Sequence, residues 1–365
     1  MFETMKHVGE MFRLPGEIYS YTTITIGNIN STYKVTYAVG DSFKSYLFQR
    51  VNTHVFKNPV EIMENIDRVT GHIRARYPDR ISLHFHHTAQ GANYYVSDAS
   101  SFWRVVNYID SVTLELSDDP AVIEATGKAF GDFQNSLADF DGSQLHETIP
   151  DFHNTKKRLD TLFAHAQEDP CGRVAQVQSE LAYIASVREK ASELSVRFAR
   201  GELPRRVTHN DTKANNVLFD KKTLEPLVVV DLDTIMPGMA MYDFGDAVRF
   251  IANTAVEDEP DTGRVFFDTG KFRAFARGFI GETKDSLTQP ELDSLVPASF
   301  SITIELAARF LDDYLTGDTY FRCAYPKHNL VRARCQLALA RDIERKEREL
   351  SWIIREVTQR GTRQG

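Results

Sequence analysis

The sequence predicts an α+β protein of two unlike parts: a small β-rich lobe at the N-terminus and a larger, mostly helical lobe with an embedded β-hairpin. Three observations carry this. Residues 18–51 are rich in Tyr, Thr, Ile and Val and are broken at Gly27-Asn28 and Gly40-Asp41, the composition of strands joined by turns. Beyond residue 110, apolar residues recur mainly at helical spacing. Within that helical stretch, the short apolar runs "NNVLFD" and "PLVVVDLD" flank a Lys-Lys-Thr turn and read as a hairpin.

The elements follow in chain order. "NPVEIMENIDRVTGHIRARY" reads as a helix capped by Asn58, with Pro59 in its first turn and Val60, Met63, Ile66, Val69 and Ile73 along one stripe. "ISLHFHHTAQGANYYVSDASSFWRVVNYID" returns to short strands, with turns at Gln90-Gly91 and Asp98 to Ser101. The first lobe therefore spans residues 1–109 and the second 110–365, joined by a connection at 107–111. In the second lobe, "DPAVIEATGKAFGDFQNSLADF" aligns Val122, Ala125, Ala129, Phe133, Leu137 and Phe140. "GRVAQVQSELAYIASVREKASELSVRFARG" predicts a long or bent helix, and residues 270–280, 290–316 and 328–357 predict further ones. Clefts between such parts are where small-ligand sites form preferentially.

Composition narrows the function. A chain of 365 residues is long enough for one large or two medium domains, and 42% hydrophobic with 26% charged residues is ordinary for a soluble protein. A formal net charge of -8 speaks against nucleic acid or an anionic membrane surface as a partner, since both attract basic surfaces. The three cysteines, Cys171, Cys323 and Cys335, show no CxxC spacing, which fits a reducing compartment and points to no zinc site. "MFETMKHVGEMFRLPG" lacks the apolar core of a signal peptide, and no run approaches the roughly 20 apolar residues of a membrane-spanning helix. The expectation is a cytoplasmic protein, a monomer or weak homo-oligomer, acting on small molecules.

The chemistry concentrates in "RVTHNDTKANNVLFD", residues 205–219. So many hydrogen-bonding groups are costly to bury unless each finds a partner. Asp211 lies two positions after His209 and five before Asn216, while Asp231 and Asp233 end the Val228–Val230 run and alternate to the same side of it. A hairpin that brings Asn216 near Asp231 gathers hard oxygen ligands suited to Mg²⁺, which binds one or two carboxylates together with phosphate oxygens. Asp211 is then placed to accept a proton from an attacking hydroxyl. The same division of labour underlies the H-R-D-x-x-x-x-N loop and strand-terminal aspartate of protein kinases. A plain hydrogen-bonded turn would explain the loop alone. It would not explain the loop, the hairpin and the strand-terminal Asp together behind a sheet–helix–sheet lobe. No GxSxG elbow or HExxH motif supports a hydrolase.

"THNDTKANNVLFD" followed by "VVVDLDTIMPGMAMYDFGDAVRF" resembles the aminoglycoside phosphotransferase-like kinase family, which shares the protein-kinase fold. Within it the sequence is similar to the N-acetylhexosamine 1-kinase branch, through "GNINSTY", "NTHVFKNPVEIMENIDRVT", "FGDFQ", "LHETIPDFHNT", "RFLDDYLTGDTYF" and "HNLVRAR" as well. The resemblance implies a protein-kinase-like two-lobed fold, with Asp211 as catalytic base and Asn216 and Asp231 as Mg²⁺ ligands beside Asp233. It implies that His209 shapes the loop and that Asp243 and Asp246 of "YDFGD" brace it by hydrogen bonds. ATP belongs in the small lobe. There Asn30, Ser31 and Thr32 of "GNINSTYKV" are candidates to cover the phosphates, and the backbone of Asn107, Tyr108 and Ile109 to meet adenine. By the same resemblance Arg309 and Tyr320 contact a sugar, whose hydroxyls and acetamido carbonyl suit a forked donor and a flat ring.

Two features depart from the kinase pattern or stay open. The strand "KSYLFQRVN" offers Gln49 and Arg50 where kinases place a phosphate-binding Lys, and Glu64 is the candidate for the glutamate of the following helix. The departure leaves room for a catalytically inactive binding protein, and the fold leaves room for choline, another amino-alcohol or an aminoglycoside as acceptor. His84 and His86 share one side of a strand, but no Cys or carboxylate completes a metal site around them.

Overall fold

The computed structural model describes residues 1–25, 29–97, 100–115 and 117–361. The expected turn at Gly27-Asn28 and part of the turn after Ser97 lie outside these residues. Five strands, β1 (Glu17–Ile24), β2 (Ser31–Val39), β3 (Ser42–Val51), β4 (Tyr95–Val96) and β5 (Phe102–Asn107), form one antiparallel sheet in the order β1-β2-β3-β5-β4. The β2–β3 turn uses Gly40 at φ 57°, a left-handed conformation that costs glycine little.

Each face of the sheet carries a helix. On one side α1 (Phe2–Met11) buries Met5 and Val8 against Tyr33, Val35, Tyr37, Tyr46, Phe48, Trp103 and Val105. On the other, α2 (Pro59–Arg76) buries Ile62, Met63, Ile66 and Val69, in a core that also holds Val51, Phe85, Phe102 and Val106. Strand alternation divides β5 between the two: Trp103 and Val105 face α1, while Phe102, Arg104 and Val106 face α2. Neither α1 nor α4 (Thr155–Glu168) was expected from the sequence. Two details of α2 also differ: Asn58 occupies the N-cap without a side-chain hydrogen bond, and Val60 is exposed, because the buried stripe runs through Ile62.

The remaining chain is helical around two small ribbons. After α3 (Pro120–Ser136), α4 and α5 (Gln178–Ala199) come β6 (Arg206–Thr208), β7 (Val217–Phe219), β8 (Pro226–Val229) and β9 (Met236–Gly238). β7 pairs with β8, the expected hairpin, and β6 pairs with β9. Then follow α6 (Ala240–Ile251), α7 (Thr269–Thr283), α8 (Gln289–Asp293), α9 (Leu295–Leu315) and α10 (His328–Gly361). α9 is the buried axis of this lobe, with α4, α5, α6 and α10 around it. α3 and α7 approach backbone to backbone: a Cβ at Gly278 would stand 2.0 Å from the Glu124 carbonyl oxygen, and one at Gly127 2.2 Å from that of Phe275. This is the two-lobed protein-kinase-like architecture, a small β lobe followed by a helical one.

Candidate active site

The polar loop between β6 and β7 is held from beneath by α6. The buried Asp243 carboxylate accepts from the backbone N–H groups of His209 and Asn210, both at 2.8 Å, and from Gln134 Nε2 at 2.7 Å. Asp246 accepts from the Thr212 N–H at 3.2 Å and from Arg249 Nη2 at 2.9 Å. Burial alone would raise the Asp246 carboxyl, but Arg249, His153 and Lys213 outweigh it and hold it below the ordinary range. Asn210 adopts φ 65°, and its Nδ2 donates to the Thr234 carbonyl at 2.8 Å. The Asp243 and Asp246 carboxylates and the loop amides they meet are all partnered, as a rigid loop requires.

His209 is a fully buried spacer. Its Nε2 donates to the Val230 carbonyl at 2.9 Å while its Nδ1 faces the Asp211 N–H at 3.3 Å, so the ring carries its proton on Nε2. Phe130 and Phe133 pack against it edge to face. The ring thus ties the loop to the end of β8, immediately before Asp231.

Asn216 completes the link. Its Nδ2 donates to the Asp211 backbone carbonyl at 2.9 Å and to Asp211 Oδ2 at 3.3 Å, and its own carbonyl accepts from the Val230 N–H at 2.8 Å. Asp231 follows in a left-handed conformation, φ 61° and ψ 58°, which turns the chain out of the strand. Burial, then the charges of Asp233 and Asp211, push its carboxyl up to about 6. The three acidic residues are therefore close enough for Asp231 to feel the charge of the other two.

Two cations balance them. Lys213 Nζ pairs with Asp211 Oδ1 at 2.9 Å; the sequence reading did not single Lys213 out, although it stands only two residues beyond Asp211. The buried Arg104 pairs with Asp233, which also accepts from Asn30 Nδ2 at 2.7 Å. No hydrogen bond or ion pair occupies the Asp231 carboxyl or Asn216 Oδ1 among the described residues. A free carboxyl raised by burial and neighbouring anions, beside a free amide oxygen, fits a divalent cation that needs few protein ligands. Among the described residues, no three His, Cys, Asp or Glu side chains form a ready-made cage, so such an ion would depend on further ligands from outside the chain.

The positions expected to meet nucleotide lie on the facing edge of the small lobe. Asn30 Oδ1 accepts from the Asn52 N–H at 2.9 Å, Thr32 Oγ1 accepts from Gln49 Nε2 at 3.2 Å, and Ser31 Oγ accepts from Arg50 Nη2 at 3.5 Å. At the lobe junction the Asn107 N–H donates to the His84 carbonyl and the Tyr108 N–H to that of Ser45. Those two amides are thus committed inside the protein, and the Asn107 side chain binds the backbone of His84 and Ser82. The amide N–H of Ile109 has no backbone partner among the described residues.

Glu64 does not take the helix-glutamate position. It faces outward to His146 Nε2 at 2.7 Å and Arg68 at 3.3 Å, and α2 instead presents Met63 inward, 3.8 Å from Arg104. His84 and His86 stack edge to face with centroids 4.7 Å apart, and burial lowers His86 to about 4.

Comparison with known proteins places this geometry. A model of the phosphotransferase enzyme family, APH, matches residues 20–277. The chain belongs to that family.

Solved structures share the phosphotransferase fold at low identity. One is a microcompartment-associated aminopropanol kinase, TM-score 0.60 and 16% identity, with 96% of this chain and 99% of that one covered. Another is choline kinase from Cryptosporidium parvum Iowa II, TM-score 0.56 and 13% identity, covering 96% and 99%. A third is spectinomycin phosphotransferase, whose structure holds ADP and spectinomycin, TM-score 0.51 and 12% identity, covering 93% and 98%. At such identities the likeness concerns the fold.

On the helical lobe of this phosphotransferase, Arg309 spreads its guanidinium over Phe152, Tyr320 and Phe321, with 5.5, 5.9 and 5.5 Å to the ring centroids. Tyr320 is 72% exposed. Two neighbours were missed by sequence reasoning. His153 Nδ1 bonds Glu305 Oε1 at 2.9 Å while its Nε2 is buried without a partner, and Arg158 Nε is likewise buried and unpartnered. Burial, then the charge of Arg309, lowers the pKa of Arg158. Their segment, "FHNTKKR", reads as an ordinary helix start, and only the fold brings it beside Arg309.

Proposed function

We propose that this phosphotransferase moves the γ-phosphoryl group of ATP to the anomeric hydroxyl of an N-acetylhexosamine, giving the sugar 1-phosphate and ADP. The observation that carries the choice of acceptor is the chemistry around Arg309. Its guanidinium lies over three aromatic rings and has no carboxylate partner among the described residues, and an unfilled donor, Arg158 Nε, and an unfilled acceptor, His153 Nε2, lie nearby. Such donors suit hydroxyls and an amide carbonyl, and exposed aromatic faces suit a sugar ring. The same cations repel choline, ethanolamine or a polycationic aminoglycoside, which would want acidic walls.

In this reading Asp211 accepts the proton of the attacking hydroxyl. Asn216 fixes that carboxylate through Nδ2, and Lys213, paired with it at 2.9 Å, offers a cation to charge developing on the transferred group. Asp231 and Asn216 Oδ1, with Asp233 alongside, would hold Mg²⁺, which when bound neutralises phosphate charge. No covalent intermediate is needed, because positioning and electrostatic complementarity supply most of the catalysis in phosphoryl transfer.

A coupled assay of ADP release over N-acetylglucosamine, N-acetylgalactosamine, the unsubstituted hexoses, choline, ethanolamine and an aminoglycoside tests the proposal. The N-acetylhexosamines should give the highest kcat/KM. Turnover of choline or the aminoglycoside with none for the sugars would replace the acceptor, and no turnover with any of them would support an inactive binding protein.

A further inference from the structure

The third strand lacks the phosphate-binding lysine of kinases, yet a cation stands beside the place it would occupy. Gln49 on β3 pairs across the sheet with Arg104 on β5. Arg104 Nε donates to Gln49 Oε1 at 2.9 Å, and Nη1 pairs with Asp233, two residues beyond Asp231. Arg104 is 2% exposed and faces α2, where the inward residue is Met63 rather than an acid. Asp233 is therefore its one carboxylate partner among the described residues, and the contact uses a single terminal nitrogen. Nη2 makes no hydrogen bond among the described residues and is not among the fully buried unpartnered atoms. A guanidinium normally engages through both prongs of its fork, and one buried with a prong unused retains donor capacity for a second anion.

Charge balance gives that capacity a use. Asp231 feels the charges of Asp211 and Asp233, while Lys213 pairs with Asp211 and Arg104 with Asp233. Without Arg104, three carboxyls and one lysine would face a nucleotide that is itself anionic. Gln49 carries the polar end of the same network onward, donating to Thr32 Oγ1 at 3.2 Å at the start of β2.

We propose that Arg104 replaces the missing strand lysine: it supplies from β5 the cation that binds the nucleotide's phosphates, and it positions Asp233 beside Asp231. The proposal rests on the nucleotide-dependent phosphotransferase reading and names the residue that reading leaves open.

Binding of ADP and of adenosine, each measured by calorimetry with Mg²⁺ present, tests it without recourse to activity. Arg104→Met should weaken ADP by about 10–100-fold, the range of a lost charge-assisted contact, and leave adenosine unchanged. Equal weakening of both ligands, or of neither, would overturn the proposal, since a purely structural arginine has no preference for phosphate. Because Arg104→Met strands a buried carboxylate, the double variant Gln49→Lys/Arg104→Met provides a second arm. Moving the cation to β3 should restore ADP affinity to within about tenfold of the parent. A double variant that melts like the parent and binds adenosine normally but stays ADP-blind would also overturn it. A parent protein that binds neither ligand would instead remove the phosphotransferase reading beneath the proposal.

Discussion

Asp231 is the carboxyl whose ionisation the fold disfavours. Burial and the charges of Asp233 and Asp211 raise it from 3.8 to about 6, so the folded protein prefers the protonated form more strongly than the unfolded chain does. The linkage follows: this contribution is fully present below about pH 4, is lost between about pH 4 and 6, and leaves an uncompensated repulsion above that. Asp231→Asn should therefore raise the ligand-free Tm by about 2 °C at pH 8 and have no effect near pH 4, a modest size because the residue is solvent-accessible. The same change should abolish Mg²⁺-dependent tightening of ADP binding. A thermal melt series across pH checks the first expectation and a titration with and without Mg²⁺ the second. Asp211→Asn belongs beside it: kcat should fall by about 10²–10⁴-fold, the usual contribution of a positioned base, with ADP affinity within about twofold of the parent.

Among elements, the loop between β6 and β7 depends on α6 more than on its own residues. Asp243 receives two backbone N–H groups and the Gln134 amide. Asp243→Ala would leave those buried donors unmet, at about 1–3 kcal/mol each in the limiting case, and should lower both Tm and kcat. Gln134→Ala removes one donor and leaves the loop's two N–H bonds intact, so its loss in kcat should be much smaller. The α3–α7 contact offers a test of packing without chemistry. Gly278→Ala would force a Cβ onto the Glu124 carbonyl and should cost about 1–3 kcal/mol or more, while residual activity keeps its acceptor preference.

These elements also show what the sequence makes legible. The β7–β8 hairpin, α2, α3, α9 and the Asp211–Asn216 interval follow from local pattern, because period and turn chemistry are local. α1 was missed since ten residues mixing Met, Val and charge announce a helix only once a sheet face lies beneath them. Glu64 is the candidate for the helix glutamate by analogy with kinases, but α2 turns Met63 to the core and leaves Glu64 to His146. Arg104 sits in "FWRVVN", which reads as plain buried strand. Its meaning depends on its register with Gln49 and on Asp233, 129 residues away.

At the scale of the molecule, the sheet lobe reaches the helical lobe at Asp233, two residues beyond Asp231. Asn30 and Arg104 from the sheet lobe hold Asp233, while Asp211, Asn216 and Lys213 arrive from the helical lobe. Nucleotide binding should then stabilise the whole chain, by about 2.7 kcal/mol at a ligand concentration of 100 times Kd. Calorimetric melts with and without Mg-ADP should show one transition moving upward; a shift confined to one of two separate transitions would mean that the lobes are not coupled through the Asp233 contacts. The proposed acceptor side draws on distant segments, with Phe152, His153 and Arg158 at or before α4 and Arg309 on α9. For that reason the proposed sugar contacts are legible in the sequence only through resemblance. Among the described residues no helix is long and apolar enough to cross a membrane.

The central claim is that Asp211 and Asp231 jointly build a site for phosphoryl transfer to a sugar's anomeric oxygen. Phosphorus NMR of a reaction containing protein, Mg-ATP and N-acetylglucosamine reads this most directly. The expected result is a new phosphomonoester resonance split by coupling to the anomeric proton, growing as ADP grows and slowed by about 100-fold or more with Asp211→Asn. A resonance that grows equally with Asp211→Asn, or phosphate attached at another position of the sugar, would contradict it.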